Sequence, residues 1–96
     1  MTKSSTILKR ARKHVERGWA FSLATTSDGC IAPGEFPWLS EKASNFCPVG
    51  AVLRELKVAT WVGWRMYPMA EYADRGKPHA LRLFDKAIEL AEAHGD

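Results

Sequence analysis

The sequence predicts a mainly α-helical protein: a single small domain over residues 1–96, with about four helices and a short β-hairpin after the first helix. Apolar residues recur at helical spacing in several stretches, whereas a short stretch after Gly18 alternates with a period of two. The chain has 96 residues, of which 46% are hydrophobic and 26% charged. This composition is that of a globular protein, and the length is too short for two independent cores.

The first helix is predicted from apolar residues that line one face, with charged residues on the other face. The apolar row is Ile7, Leu8, Ala11, Val15 and Trp19. Ser4, Ser5 or Thr6 is expected to cap the first N–H groups of this helix, and Gly18 is expected to end it in the left-handed conformation.

The alternating stretch after Gly18 predicts the hairpin. Trp19, Phe21 and Leu23 alternate with smaller residues. Asp28–Gly29 is typical of a tight turn, so residues 30–32 are expected to form the second strand.

Two prolines and a glycine in residues 33–39 predict an irregular loop that carries Phe36 and Trp38. Ser40 is expected to cap a helical stretch that begins at Glu41, until a proline interrupts it.

Pro48 fits the first turn of the next helix, because it needs no backbone donor there. The apolar row of that helix is Val49, Val52, Leu53 and Leu56. Residues 58–67 fit either a helix or a buried strand, and we favour a helix that continues through residues 69–74 to Gly76. The last helix is predicted from Pro78 to about Gly95, since its apolar and charged residues occupy opposite sides.

The formal net charge of +3 hides a local surplus of positive charge. Residues 3–17 hold six basic residues and one acidic residue, Glu16, so eight basic and ten acidic residues remain for the rest of the chain. A cationic helix face can meet phosphates or an acidic protein surface, and its alternative is a solvated face that keeps the protein soluble. The candidate partner-binding cations are Lys9, Arg10, Arg12, Lys13 and Arg17.

Other features narrow the class of protein. No apolar run approaches the roughly 18 residues of a membrane span, and the N-terminus does not have the pattern of a signal peptide, so we expect no membrane and a cytoplasmic location. Cys30 and Cys47 are expected to be free thiols. No spacing of cysteines and histidines indicates a metal site, and no cofactor is expected.

Cys47 has a catalytic interpretation and a structural one. A cysteine at the start of a helix can become a thiolate nucleophile, and His79 and Asp74 could complete a Cys-His-Asp arrangement. However, Cys47 lies in an apolar run with small neighbours, as a buried cysteine does. The sequence favours the buried role.

The four tryptophans are many for so short a chain. Trp38, on its predicted loop, is the candidate anchor for a protein partner, since aromatic residues carry much of the binding energy of interfaces. The alternative is that the loop folds Trp38 back onto the core. Trp61 and Trp64 are assigned to the core or to a homo-oligomer contact.

Five motifs occur in an order that resembles a family of small bacterial and phage proteins of unknown function. They are R-G-W at 17–19, D-G at 28–29, C-P-V-G-A at 47–51, Y-A-D at 72–74 and L-F-D-K-A-I-E-L-A at 83–91. The chain departs from that pattern at Ala73, where the family would have asparagine. The resemblance implies a small, mainly helical fold and brings no assigned activity.

These observations predict a non-catalytic protein that binds another macromolecule. The specific hypothesis is a phage or mobile-element accessory that inhibits a host complex through protein–protein contact, in the manner of anti-CRISPR and other anti-defence proteins. Its partner would be a host protein or ribonucleoprotein complex. Two alternatives stay open: nucleic-acid binding by the basic first helix, and a small cysteine-dependent hydrolase.

Overall fold

The computed structural model describes residues 3–60, 62–65 and 76–96, and it is mainly helical, as the sequence predicted. The helices are α1 (Ser4–Arg17), α2 (Pro48–Glu55), the short α3 (Val62–Arg65) and α4 (Lys77–Ala93), with a 3₁₀ turn at Pro37–Leu39. Only α1, α2 and α4 reach two turns among the described residues, so the prediction of about four helices is not confirmed.

Helix α1 lies between α2 and α4 and packs against both. Its buried face, at Ala11 and Val15, meets Ala51 and Leu53 of α2 and Phe84 of α4 in one apolar core. The last helix begins where the sequence predicted, with Pro78 in its first turn. Burial of these apolar faces is the main source of stability for helices of this length.

The start of α1 is capped differently from the prediction. No side chain at the N-cap position, Lys3, bonds to the helix. Instead, a carboxylate oxygen of Asp96 accepts the backbone N–H of Ser4 at 3.2 Å, and the Asp96 carbonyl accepts that of Ser5 at 3.1 Å. The Ser4 hydroxyl also donates to the Asp96 carboxylate at 2.7 Å. The two ends of the described chain are therefore joined.

The end of α1 also differs from the prediction, because Gly18 is extended, with φ −161°, and not left-handed. A glycine is needed there for space: a Cβ atom would collide with the backbone oxygen of Ser44. The chain then runs beside residues 44–47, where the Phe46 N–H donates to the Gly18 carbonyl at 2.9 Å.

The predicted β-hairpin is not confirmed. A single antiparallel bridge joins Thr25 to Ile31, and the described residues contain only isolated bridges. The reason is that residues 19–25 pair elsewhere: Thr25 also bridges Asn45, and the Ser22 carbonyl accepts the N–H of Cys47 at 3.2 Å. Contacts with the segment before α2 replace the hairpin ladder.

The segment before α2 also lacks the helix that was predicted from Glu41. Residues 41–42 form a turn, in which the Ser40 hydroxyl accepts the Lys42 N–H at 3.2 Å. Helix α2 then begins at Pro48, as predicted.

Gly50 in α2 allows another segment of the backbone to approach the helix closely. A Cβ atom at Gly50 would collide with the Leu23 carbonyl.

In the stretch that fitted helix or strand, Val62–Arg65 is helical. The remaining predictions for residues 66–74, including Asp74, lie outside the described residues. Trp61 lies outside them as well.

Candidate polyanion-binding surface

The basic residues of α1 divide into two groups according to their neighbours. Helices α1 and α4 run antiparallel, so that Lys9 lies 3.4 Å from Glu92 and Arg12 lies 2.8 Å from Asp85. Arg12 also pairs with Glu16, one turn along α1. Two of the five predicted partner-binding cations, Lys9 and Arg12, are therefore neutralised within the protein.

The other three cations, Arg10, Lys13 and Arg17, form what we call the basic stripe. They are exposed and lie at positions i, i+3 and i+7, which places them on one face of the helix. No ion pair joins them to a carboxylate within residues 3–60, 62–65 and 76–96. At a rise of about 1.5 Å per residue, the stripe is about 10 Å long.

This arrangement works against the stability of α1. Arg10 and Lys13 are a like-charge pair at i,i+3, and Lys13 and Arg17 are one at i,i+4. Each such pair destabilises a helix by about 0.2–0.5 kcal/mol. Unpaired cations on one face are thus costly for the fold and are the charges available to a partner.

A depression of about 390 Å³ lies where the stripe meets α2, and we call it the Arg54 pocket. It is lined by His14, Arg17, Ala43, Ser44, Phe46 and Arg54. One nitrogen of Arg54, Nη1, donates to the carbonyls of Trp38 and Ser40 at 2.9 and 3.0 Å. The Arg54 guanidinium carbon is 5.2 Å from the centre of the Phe46 ring. These contacts hold the cation in one orientation.

His14 forms another wall of this pocket. It is half-buried, with Nε2 at 2.7 Å from Glu55 Oε2 and its ring centre 5.4 Å from that of Phe46. The Glu55 carboxylate therefore has a partner in His14.

The sequence did not identify Arg54 or Glu55 as site residues, because each is a single charged residue in an apolar helix. Their role depends on contacts with α1 and with the loop before α2. The sequence feature that could have identified them is the adjacent pair of charged residues, Arg54 and Glu55, on a helix that is otherwise apolar.

Trp38 is not at the surface, so it is not an anchor for a partner. It is fully buried, and its indole N–H donates to the Val58 carbonyl at 2.6 Å. The loop folds the tryptophan onto the core, which is the alternative that the sequence left open. The most exposed large apolar side chains among the described residues are Phe21 and Ile31, at 66% and 64% exposure.

Cys47 is fully buried, at 0% exposure, as the sequence favoured. It is the N-cap of α2, where its sulfur accepts the Gly50 N–H at 3.4 Å. Of its proposed catalytic partners, His79 lies in the first turns of α4 and Asp74 is outside the described residues. The hydrolase hypothesis therefore lacks an accessible nucleophile in this conformation.

A second cavity, of about 400 Å³, lies between the helices and has apolar walls that include Leu8, Val52 and Leu83. In the described part of the chain, no group of three or more histidine, cysteine or acidic residues could hold a metal ion. No helix in that part is long and apolar enough to cross a membrane.

Comparisons of the chain with protein-family models, curated proteins and solved structures find no match. The resemblance to a family of small bacterial and phage proteins therefore stays a prediction.

Proposed function

We propose that this protein is a non-catalytic binding protein whose partner is a nucleic acid, held by the basic stripe. The observation that supports the proposal is the division of charges on α1: Lys9 and Arg12 are neutralised by α4, whereas Arg10, Lys13 and Arg17 are exposed and free of carboxylates among the described residues. Phosphate contacts by lysine and arginine supply most of non-specific nucleic-acid affinity.

The burial of Trp38 favours this alternative over protein–protein contact. Binding energy in protein interfaces is concentrated in a few aromatic and arginine anchors. Trp38 was the predicted anchor and is fully buried, whereas the predicted cations include three that remain exposed.

The test is a titration of labelled duplex and single-stranded DNA and RNA with the purified protein over a series of salt concentrations. We expect binding that weakens as salt rises, with a slope set by three phosphate contacts. Absence of binding at low salt, or binding that is insensitive to salt, would contradict the proposal.

An acidic protein surface is the second candidate partner, and the exposure of Phe21 and Ile31 supports it. These side chains could supply the apolar contacts of a protein interface, to which the basic stripe would add charged contacts. This candidate includes the hypothesis of a phage accessory that inhibits a host complex, which stays a prediction.

Paired variants separate the two candidates. Phe21→Ser with Ile31→Ser should leave affinity for nucleic acid within about twofold, because surface phosphate binding is electrostatic. The same change should weaken binding to a protein partner by tenfold or more, as expected for loss of an apolar anchor worth about 2 kcal/mol. A loss of nucleic-acid affinity in this double variant would instead place the two side chains in the nucleic-acid surface.

A further inference from the structure

We propose that the Arg54 pocket binds one phosphate group of the nucleic acid, in a defined orientation, next to the diffuse attraction of the basic stripe. This inference rests on the proposed function and assigns the pocket a ligand of its own. The stripe offers charges on a convex helix face, whereas the pocket is a concave space of about 390 Å³ whose lining includes two arginines and a serine.

Arg54 is held in a fixed orientation. Its Nη1 group has both N–H bonds directed at carbonyl oxygens, those of Trp38 and Ser40. A guanidinium has five donors, so three remain on Nη2 and Nε. Those three make no hydrogen bond to any of the described residues. Because Phe46 and the two carbonyls hold the guanidinium, little side-chain entropy is lost when it binds an anion.

Other side chains with hydrogen-bond donors line the Arg54 pocket as well. Arg17, the last residue of the basic stripe, also lines the pocket and adds a second guanidinium. Ser44 is also a wall, and no hydrogen bond occupies its hydroxyl within the described residues. The planar guanidinium of an arginine can donate two parallel hydrogen bonds to two oxygens of one phosphate, and a hydroxyl can supply a further donor.

The charge around the pocket favours an anion. Arg17 and Arg54 contribute two positive charges, and none of the residues that line the pocket is a carboxylate. Glu55, which follows Arg54 in the sequence, is bonded to His14 at 2.7 Å. With Glu55 counted in full, one positive charge remains, which suits the single negative charge of a phosphodiester.

The test uses inorganic phosphate as the probe, added to the full chain at constant ionic strength with chloride as the replaced anion. Proton–nitrogen NMR follows the Nε groups of Arg17 and Arg54 and the amide of Ser44. We expect shifts that saturate and that are confined to the pocket. Shifts that rise linearly, or that are as large at Arg10 as at Arg17, would reduce the pocket to part of a diffuse cationic surface and overturn the inference.

Variants make the test residue-specific. Arg17→Gln should weaken phosphate binding about tenfold, the effect of losing one charge-assisted hydrogen bond. Lys13→Gln removes the same charge one turn earlier, outside the pocket, and should change affinity by less than about twofold. Arg54→Lys keeps the charge and removes the planar fork, so it should also weaken binding. Equal losses in Arg17→Gln and Lys13→Gln would contradict the proposal.

The outcome for the pocket is separable from that for the proposed function. Saturable phosphate binding without binding of duplex or single strands would support the pocket as an anion site and refute nucleic acid as its source. Salt-dependent nucleic-acid binding that phosphate does not compete with, and that Arg54→Lys leaves unchanged, would refute the pocket and leave the stripe as the binding surface.

Discussion

Neutralising the basic stripe should abolish most of the salt-dependent affinity for nucleic acid and leave the fold intact. The variant replaces Arg10, Lys13 and Arg17 with glutamine. Each phosphate contact contributes about 0.9 to the slope of log affinity against log salt for duplex DNA, so three contacts give a slope of about −2.7. For single strands, at about 0.7 per contact, the slope is about −2.1.

The expected effect is large enough to measure by fluorescence anisotropy. With a slope of about −2.7, affinity for duplex falls about 40-fold between 50 and 200 mM salt. The triple variant should show a slope no steeper than about −0.9, which is the one contact that Arg54 can still make, and little binding at either concentration. A matched control removes three exposed cations elsewhere, as Lys42→Gln, Arg82→Gln and Lys86→Gln, and lowers the formal net charge of +3 by the same amount.

Stability should be nearly unchanged in the stripe variant, so any loss of binding reports on the surface. Removing two like-charge pairs stabilises α1 by about 0.4–1 kcal/mol in all. Loss of Arg17 from the last turn removes a favourable interaction with the helix dipole, worth about 0.3–1 kcal/mol. These terms nearly cancel. Equal losses of affinity in the stripe variant and the control would show that only net charge matters and would refute the assignment to α1.

Three further predictions concern the fold. Two hydrogen bonds from Ser4, the larger effect coming from its hydroxyl and the smaller from its backbone N–H, lower the pKa of Asp96. The ionised Asp96 carboxylate therefore stabilises the fold fully above about pH 3.9, the pKa of an unfolded aspartate, and this stabilisation is lost as the pH falls through the lower pKa of the folded state. Asp96→Asn should remove that part of the acid dependence, measured by thermal unfolding from pH 2 to pH 5. Iodoacetamide should alkylate exposed Cys30 at least about 100-fold faster than buried Cys47, and equal rates in mass spectrometry would contradict the burial. Gly50→Ala should lower the free energy of unfolding, measured in urea, by about 1–3 kcal/mol, because the added methyl group meets the Leu23 carbonyl. At an unhindered helical site, the same substitution would raise the free energy of unfolding by up to about 1 kcal/mol.

The sequence predicted those elements whose causes are local. The last helix follows from its own apolar spacing and from Pro78, and α2 starts at Pro48 for the same reason. Burial of Cys47 could be predicted because its neighbours are apolar or small. In each case, a few adjacent residues determine the outcome.

The predictions that were wrong depend on distant contacts. Ser4 has a carboxylate from Asp96 as its partner, 92 residues away in the sequence, so a search for caps near α1 could not find it. Alternation of Trp19 and Phe21 suggested a strand, but residues 44–47 compete for the same backbone groups. Burial of Trp38 was one of two alternatives that the sequence left open, and the contact between its N–H and the Val58 carbonyl is not encoded in a local pattern.

Distant contacts also determine which cations of α1 are available to a partner, and this changes the salt dependence of binding that we expect. The sequence offered five cations on α1, and five phosphate contacts would give a duplex slope of about −4.5. In the folded protein, Lys9 and Arg12 are occupied by Glu92 and Asp85, which leaves three contacts and about −2.7.

The measured slope of log affinity against log salt therefore depends on the ion pairs of Lys9 and Arg12 as well as on the phosphate contacts. A value near −2.7 means that these ion pairs persist in the complex, whereas a value near −4.5 means that phosphates displace the carboxylates of Glu16, Asp85 and Glu92. Such surface pairs are worth little, about 0–1 kcal/mol each, so displacement is energetically accessible. A triple variant, Glu16→Gln with Asp85→Asn and Glu92→Gln, distinguishes these cases: it should steepen the slope only if the pairs persist in the wild-type complex.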